Sequence, residues 1–316
     1  MNVNLEYYRI FYYVARYGNF TKAARAMGNS QPNITRAMNL LEQEIHCTLF
    51  IRTNRGVQLT PEGEKLYIRI SAAMEQIQTA EEELNASSGL EHGTISIGAS
   101  ETALNIYLLE KLRTFHMEYP GIRLKIYNHS TPQAVQAVKN GEIDFAVVTT
   151  PTDAEAPLKK VDLYPFQEIL VGGKTFMALG SQELSLAEVQ NYPFICLGRE
   201  TQTWKFYQQI FEKHGLELMP DTEVATTDQI LPLVKNELGM AFLPEAKARE
   251  AIEKGEIVEL SLRERVPQRS VCMVYDRQHP LSAAAKELKS RMRQSASKEA
   301  GKDRRKKVIT ETSKKA

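Results

Sequence analysis

The sequence predicts two folds in series: an N-terminal all-α unit closed by a short β-hairpin and prolonged by one long linker helix, then a C-terminal α/β domain in two lobes. Three observations predict this. Residues 5–45 hold helical apolar spacing broken at Gly18-Asn19 and Gly28-Asn29. Leu66, Ile70, Ala73, Ile77, Ala80 and Leu84 keep a four-three-four-three-four spacing across three heptads. From Gly93 onward, strand-like apolar runs alternate with helical stretches. Charge divides along the same lines, although the 316-residue chain totals only +1. Residues 1–60 carry seven Lys/Arg against three Asp/Glu, and 61–88 carry two against six. Residues 89–285 carry 19 against 26, and 286–316 carry 12 against four, so an acidic body lies between a basic head and a basic tail.

Each element has a local cause. Leu5, Tyr8, Phe11, Val14 and Ala15 give the first helix, over 5–17, one apolar face. Thr21 is the expected N-cap of a second helix through Met27, slim at Ala23 and Ala24. Ser30 is the expected cap of a third, with Pro32 in its first turn, where no intrahelical N–H is needed. Ile34, Met38, Leu41 and Ile45 form its buried stripe. Leu49–Arg52 and Val57–Leu59 flank the turn Thr53-Asn54-Arg55-Gly56, a hairpin signal. Thr60-Pro61 then reads as N-cap and N1 of the long helix, with Glu62 and Glu64 at its positive end. That helix would extend roughly 40 Å, ending at Asn85-Ala86-Ser87-Ser88-Gly89 as a hinge. Its regular seam argues for pairing with a second helix, the alternative being packing on its own domain.

In the C-terminal part, strands are expected at 94–98, 122–127 and 143–148, with helices at 103–119 and 132–140, implying a parallel sheet. Further strands fall at 168–172, 194–197, 222–226, 240–243, 256–260 and 270–275, and helices at 203–213, 228–238 and 281–293. Crossings between lobes are expected near Asp162–Phe166 and Arg265–Pro267. The predicted division is 1–60 for the head, 61–89 for linker helix and hinge, 90–296 for the two lobes, and 297–316 for a disordered basic tail.

Two short helices, a glycine turn and a third helix followed by a hairpin make a winged helix-turn-helix. The third helix would enter a major groove N-terminus first, presenting Ser30, Gln31, Pro32, Asn33, Thr35 and Arg36. Gln and Asn suit adenine, Arg suits guanine, and Pro or the Thr methyl suits thymine methyls. Arg52 and Arg55 bracket the wing as phosphate or minor-groove contacts; for Arg52 a structural ion pair is an equal alternative.

Ala23-Ala24, Ser30-Gln31-Pro32, Leu41-Glu42, Leu49-Phe50-Ile51-Arg52 and Arg55-Gly56-Val57-Gln58-Leu59-Thr60-Pro61-Glu62-Gly63 resemble the LysR-type transcriptional regulators. So do Gly93–Gly98, Tyr119-Pro120, Gly141-Glu142-Ile143-Asp144 and Gly239–Pro244 downstream. One departure is Ile45-His46 where the family usually has Leu-Gly; a Cβ at a left-handed helix end costs about 1 kcal/mol. The resemblance implies lobes of the type 2 periplasmic-binding-protein kind holding a small effector, dimers that become tetramers, and contact with RNA polymerase if the chain activates transcription. Strand-to-helix junctions are where such sheets bind ligands. Here they are Ser100-Glu101-Thr102, Ser130-Thr131-Pro132, Thr149-Thr150, Thr201-Gln202-Thr203 and Thr226-Thr227. Ser100, Thr102, Thr131, Thr149, Thr201, Gln202 and Thr227 are the effector candidates, each Ser or Thr having an ordinary N-cap as its rival reading. Hydroxyls and free N–H groups suit a small organic anion, whereas Glu101 would oppose one unless it points outward or meets a cation.

Other chemistry fails on spacing. Gly172-Gly173-Lys174-Thr175 lacks the Gly a phosphate loop needs at 168, where Glu168 stands. The six histidines form no metal-ligand pattern and no G-x-S-x-G elbow occurs, so no cofactor, metal or catalytic residue is expected. Cys47, Cys196 and Cys272 are scattered and odd in number, against a disulfide framework. Cys196, Cys272 and Trp204 are read as core. Without a membrane span or signal sequence, a cytoplasmic setting is expected. The partners are then double-stranded DNA, a small effector and the chain itself. A constitutive DNA-binding protein with its lobes as scaffold, or a small-molecule-binding protein or enzyme, are the rival readings.

Overall fold

The computed structural model describes residues 3–53, 56–85, 90 and 92–294. Helix α1 (Leu5–Tyr17) is capped by Asn4, whose Oδ1 accepts from the Glu6 N–H, and it ends at Gly18 with φ 58°. Helix α2 (Phe20–Ala26) is capped by Asn19 and not by Thr21. The amide oxygen of Asn19 accepts from both Thr21 and Lys22 N–H groups, which leaves Thr21 inside the first turn. Helix α3 (Gln31–Glu44) has Ser30 at its cap position, but the Ser30 hydroxyl makes no cap bond. Asn29 Oδ1 accepts instead from the Ser30 N–H at 2.8 Å. After α3, His46 takes φ 54°, the left-handed conformation that a Cβ disfavours.

Strands β1 (Phe50–Thr53) and β2 (Gly56–Leu59) form an antiparallel wing with Phe50 opposite Leu59. The Val57 N–H donates to the Gly18 carbonyl at 2.9 Å. A Cβ on Gly56 would lie 2.5 Å from that same oxygen, so close approach of the wing to the α1–α2 turn requires glycine. Phe11, Val14, Ile34, Met38, Leu41 and Leu49 are fully buried between these elements. Helix α4 (Pro61–Asn85) starts where expected, the Thr60 hydroxyl accepting from the Gly63 N–H and donating to the Thr48 carbonyl. Along its seam, Leu66 and Ile70 are half-buried against the head's own core, while Ala73, Ile77 and Ala80 are exposed. Own-domain packing therefore accounts for the first two positions only. The side chains of Leu84 and Arg52, the hinge residues 86–89, Arg55 and the tail lie outside the described residues.

The body begins with β3 (Gly93–Ala99), followed by a continuous helical rod: α5 (Glu101–Ala103), a π turn at Leu104–Leu108 and α6 (Leu109–Glu118). Then come β4 (Ile122–Asn128), α7 (Thr131–Asn140), β5 (Phe145–Thr149) and β6 (Leu158–Phe166). The chain crosses at Gln167 into the second lobe, β7 (Glu168–Gly172), a 3-10 turn at Lys174–Leu179, β8 (Glu183–Leu184), α8 (Leu186–Val189), β9 (Ile195–Leu197) and α9 (Gln202–Lys213). It continues through β10 (Thr222–Val224), a 3-10 turn at Thr227–Gln229, α10 (Ile230–Lys235), β11 (Ala241–Pro244), α11 (Glu245–Glu253) and β12 (Val258–Leu262). Strand β13 (Arg269–Asp276) and a helix over 283–294 return to the first lobe.

The expected parallel sheet is a mixed one. The first lobe has strand order β4-β3-β5-β13-β6, with β3 parallel to β4 and β5 but β13 antiparallel to β5 and β6. The second has order β11-β7-β12-β8, with β7 antiparallel to β11 and β12 and β8 parallel to β12, beside a parallel β10-β9 pair. The cause is the double crossing, because a strand returning from the other lobe enters the sheet from the opposite end. Asp162–Phe166, near which a crossing is expected, is the end of β6 and the crossing follows directly at Gln167, and Arg265–Pro267 falls in the return connection between β12 and β13. A register shift between Val271 and Cys272 interrupts the two-residue alternation of β6, which hides that strand from pattern reading. Helix α11 also went unanticipated, and the expected helix 228–238 is shorter at both ends. No helix among the described residues is long and apolar enough to cross a membrane.

Candidate functional site

In the head, the opening of α3 is a polar surface. Ser30, Gln31, Pro32, Asn33 and Arg36 are exposed and Thr35 is half-exposed, while Ile34, Ala37, Met38 and Leu41 anchor the opposite face. Two side-chain bonds order this surface. Gln31 Nε2 donates to the Thr35 hydroxyl at 3.3 Å, and Asn33 Nδ2 donates to Asn29 Oδ1 at 3.1 Å. A rigid apolar base holding polar, hydrated tips is what base reading needs, since partners must be sought outside the fold.

In the body, the carboxyl ends of β4, β3, β5 and β6 and the start of β13 line one edge of the first-lobe sheet, facing the second lobe. Each effector candidate lies along this edge or on the second-lobe elements opposite. Ser100 caps α5, accepting weakly from the Ala103 N–H. Thr102 is buried and its hydroxyl meets that of Thr227 from the second lobe at 3.3 Å. Thr131 is the first residue of α7, not its cap, and reaches the Thr149 carbonyl in a long 3.5 Å contact. Thr201 caps α9, accepting from the Trp204 N–H at 3.1 Å. Gln202 is buried and its amide donates to Asp153.

Sequence reading missed the centre of this edge. Arg269 and Glu168 form an ion pair with both side chains 2% exposed. The Arg269 guanidinium donates to Glu168 Oε1 at 2.5 Å, the Thr150 carbonyl at 2.6 Å, the Thr149 hydroxyl at 2.9 Å and the Thr203 hydroxyl at 3.1 Å. It also lies 5.0 Å from the Phe206 ring centre and 5.5 Å from that of Phe166. Both lobes are thereby bonded to one cation. Burial raises the Glu168 carboxyl above its ordinary range, against the lowering influence of Arg269. The available signal was one charged residue opening each of two apolar strands that follow a lobe crossing.

Glu101 does not point outward. Its Oε1 accepts from Lys247 Nζ of α11 at 2.7 Å and from Asn105 Nδ2 at 2.6 Å, a second bridge between lobes. Elsewhere, Cys196 and Cys272 are buried, and desolvation pushes both thiols up to about 12, so they stay protonated and unreactive at neutral pH. Trp204 packs against the second-lobe core, as expected.

An exposed reading helix with its wing, and a two-lobed body with a polar seam, define a DNA-binding regulator with a small-molecule domain. Residues 5–64 match the profile of the bacterial regulatory helix-turn-helix proteins of the lysR family, and residues 88–297 match the LysR substrate binding domain. The chain belongs to the LysR family of transcriptional regulators. It is 28% identical to the HTH-type transcriptional regulator YofA of Bacillus velezensis, covering 89% of this chain and 94% of that protein. Full-length CbnR complexed with its target DNA superposes with TM-score 0.70 at 18% identity, covering 93% of this chain and 100% of that one. The effector binding domain of QuiR in complex with shikimate gives TM-score 0.59 at 17% identity, covering 66% of this chain and 99% of that one.

Proposed function

We propose that the chain recognises a pseudo-palindromic operator as a dimer and that an organic acid bound between its lobes changes how it does so. Ser30, Gln31, Pro32, Asn33, Thr35 and Arg36 contact bases or adjacent phosphates, and Arg52 and Arg55 hold the backbone beside the wing. The dimer forms through Leu66, Ile70, Ala73, Ile77, Ala80 and Leu84. Its support is an open groove of about 930 Å³ between α1 and α4, lined by Tyr8, Tyr12, Leu66, Ile70, Ala73 and Ile77. Exposed Leu109 and Met117 of α6 and Ile126 of β4 offer a separate apolar face for the dimer-to-tetramer step.

The effector touches Ser100, Thr102, Thr131, Thr149, Thr201, Gln202 and Thr227. The chain acts in the cytoplasm by binding and not by turnover, and an activating form engages RNA polymerase. The exposed polar opening of α3 on a buried apolar base carries this reading. Footprinting of the chain's own upstream region at physiological salt tests it: one protected tract with two major-groove half-sites is expected, and no protection overturns it.

A second reading, constitutive DNA binding with the lobes as scaffold, draws on the Lys247–Glu101 and Thr102–Thr227 bridges, which join the lobes through the chain's own side chains. Titration of protein–operator complexes with candidate metabolites separates the two, since under this reading no metabolite changes the protected tract.

A further inference from the structure

The charged groups along the edge between the lobes are mostly engaged with one another. Four bonds already occupy the Arg269 guanidinium, and Lys247 is engaged with Glu101. Among the described residues, Glu101 Oε2 and Glu168 Oε2 are both buried acceptors without a hydrogen-bond partner, although each carboxylate's other oxygen is bonded. The unserved donor Trp204 Nε1 belongs to a side chain packed on the second-lobe core. Glu168 is 97% buried by its 3% exposure, so bulk water does not serve that oxygen. Another unserved atom, His129 Nδ1, lies on the same edge, one residue before Ser130. An unpaired buried carboxylate oxygen is costly, and the group that relieves it is a donor, best a cationic one.

The two carboxylates flank the hydroxyl-lined middle of the edge. Glu101 follows β3 and Glu168 follows β6, three strand spacings or about 14 Å apart along the sheet. Between them stand Thr102, Thr149 and Thr227, whose neutral hydroxyls suit one carboxylate. A dicarboxylate placed here would bring a second anion against Glu101 or Glu168.

We infer that the effector is an organic acid that also carries an amino group, its ammonium seated against Glu101 on the side where the Oε2 lacks a partner and its carboxylate on the threonine hydroxyls. This rests on the lobes being an effector site. Glu168, paired with Arg269, adds a second unserved acceptor oxygen on the same edge and offers nothing to a second carboxylate.

Two matched pairs of five-carbon compounds test it by thermal shift on the full-length protein: pentanoate with L-norvaline, and glutarate with 5-aminopentanoate. The amine-bearing member of at least one pair should raise Tm by about 5 °C at 100 times its Kd, with its partner acid giving less than a third of that shift. Glu101→Gln keeps an acceptor for Lys247 while removing the charge, and should abolish the amine-dependent shift. Glu168→Gln, if it folds, should weaken it. An acid raising Tm as much as its amine partner, silence from both amines, or an unchanged amine shift in Glu101→Gln overturns the inference, the last outcome assigning the oxygen to ordered water. Operator footprinting of the same preparations tells its failure from failure of the regulator reading, because DNA protection does not depend on which effector class binds.

Discussion

The opening of α3 and the seam between the lobes treat polar side chains in opposite ways. On α3 they are exposed, lightly bonded to one another, and rest on an apolar base that does not depend on them. At the seam, Arg269, Glu168, Thr149 and Thr102 are buried and bonded across two lobes, so the fold itself depends on them. A surface that reads an external partner must keep its hydrogen-bonding capacity unspent and hydrated until the partner arrives. The seam spends most of its capacity internally, and under the proposed reading what it leaves over selects the ligand.

Substitution at the buried cation should break this comparison most heavily. Arg269→Ala leaves Glu168 buried and unpaired, and should cost about 3–5 kcal/mol in chemical denaturation of the body. A loss below 1 kcal/mol would show that the pair does not hold the lobes. On the exposed side, Ile77→Asp should abolish dimers in sedimentation while leaving Tm of the head within about 1 °C, since Ile77 is 53% exposed. Ile70 is a poorer choice, because it also packs on the head's core. An intact Ile77→Asp dimer would remove the seam.

Asp144 sharpens the contrast through pH. Burial raises its carboxyl from an ordinary 3.8 to about 6, outweighing the Ser96 N–H that it accepts at 2.7 Å. Because the folded value lies above the unfolded one, its stabilising contribution is full below about pH 4 and is lost as pH climbs through about 6. Wild type should therefore gain about 1 kcal/mol over Asp144→Asn between pH 7 and pH 5, measured in the body's transition. A constant difference would contradict the assignment. Smallest of all, His46→Gly should relieve the φ 54° strain and stabilise the head by about 0.5–1 kcal/mol without changing operator choice. A lower head Tm would reject it.

The head was legible because its signals are local. Gly18, Asn19, Pro32 and Thr60 act within a few residues, and the buried stripe of α3 repeats within one helix. Even there, a cap was displaced from Thr21 to Asn19, since two adjacent capping residues compete and only geometry decides between them. The body was legible in its strands but not in its connections. Arg269 meets Glu168 across 101 residues of sequence, and nothing local to either one announces the other. The candidate hydroxyls were visible because junction chemistry recurs at each strand end. The charges that organise them were invisible because a lone Glu or Arg opening an apolar strand resembles any solvated strand end.

The most direct test of the central claim is binding of Gln31→Ala and Arg36→Ala to operator and to random duplex at one fixed salt concentration. A loss of about 1–3 kcal/mol on operator is expected, roughly ten- to a hundredfold, with a much smaller loss on random DNA and an unchanged Tm. Equal losses on both duplexes would contradict it, because the side chains opening α3 would then be holding phosphates and not reading bases.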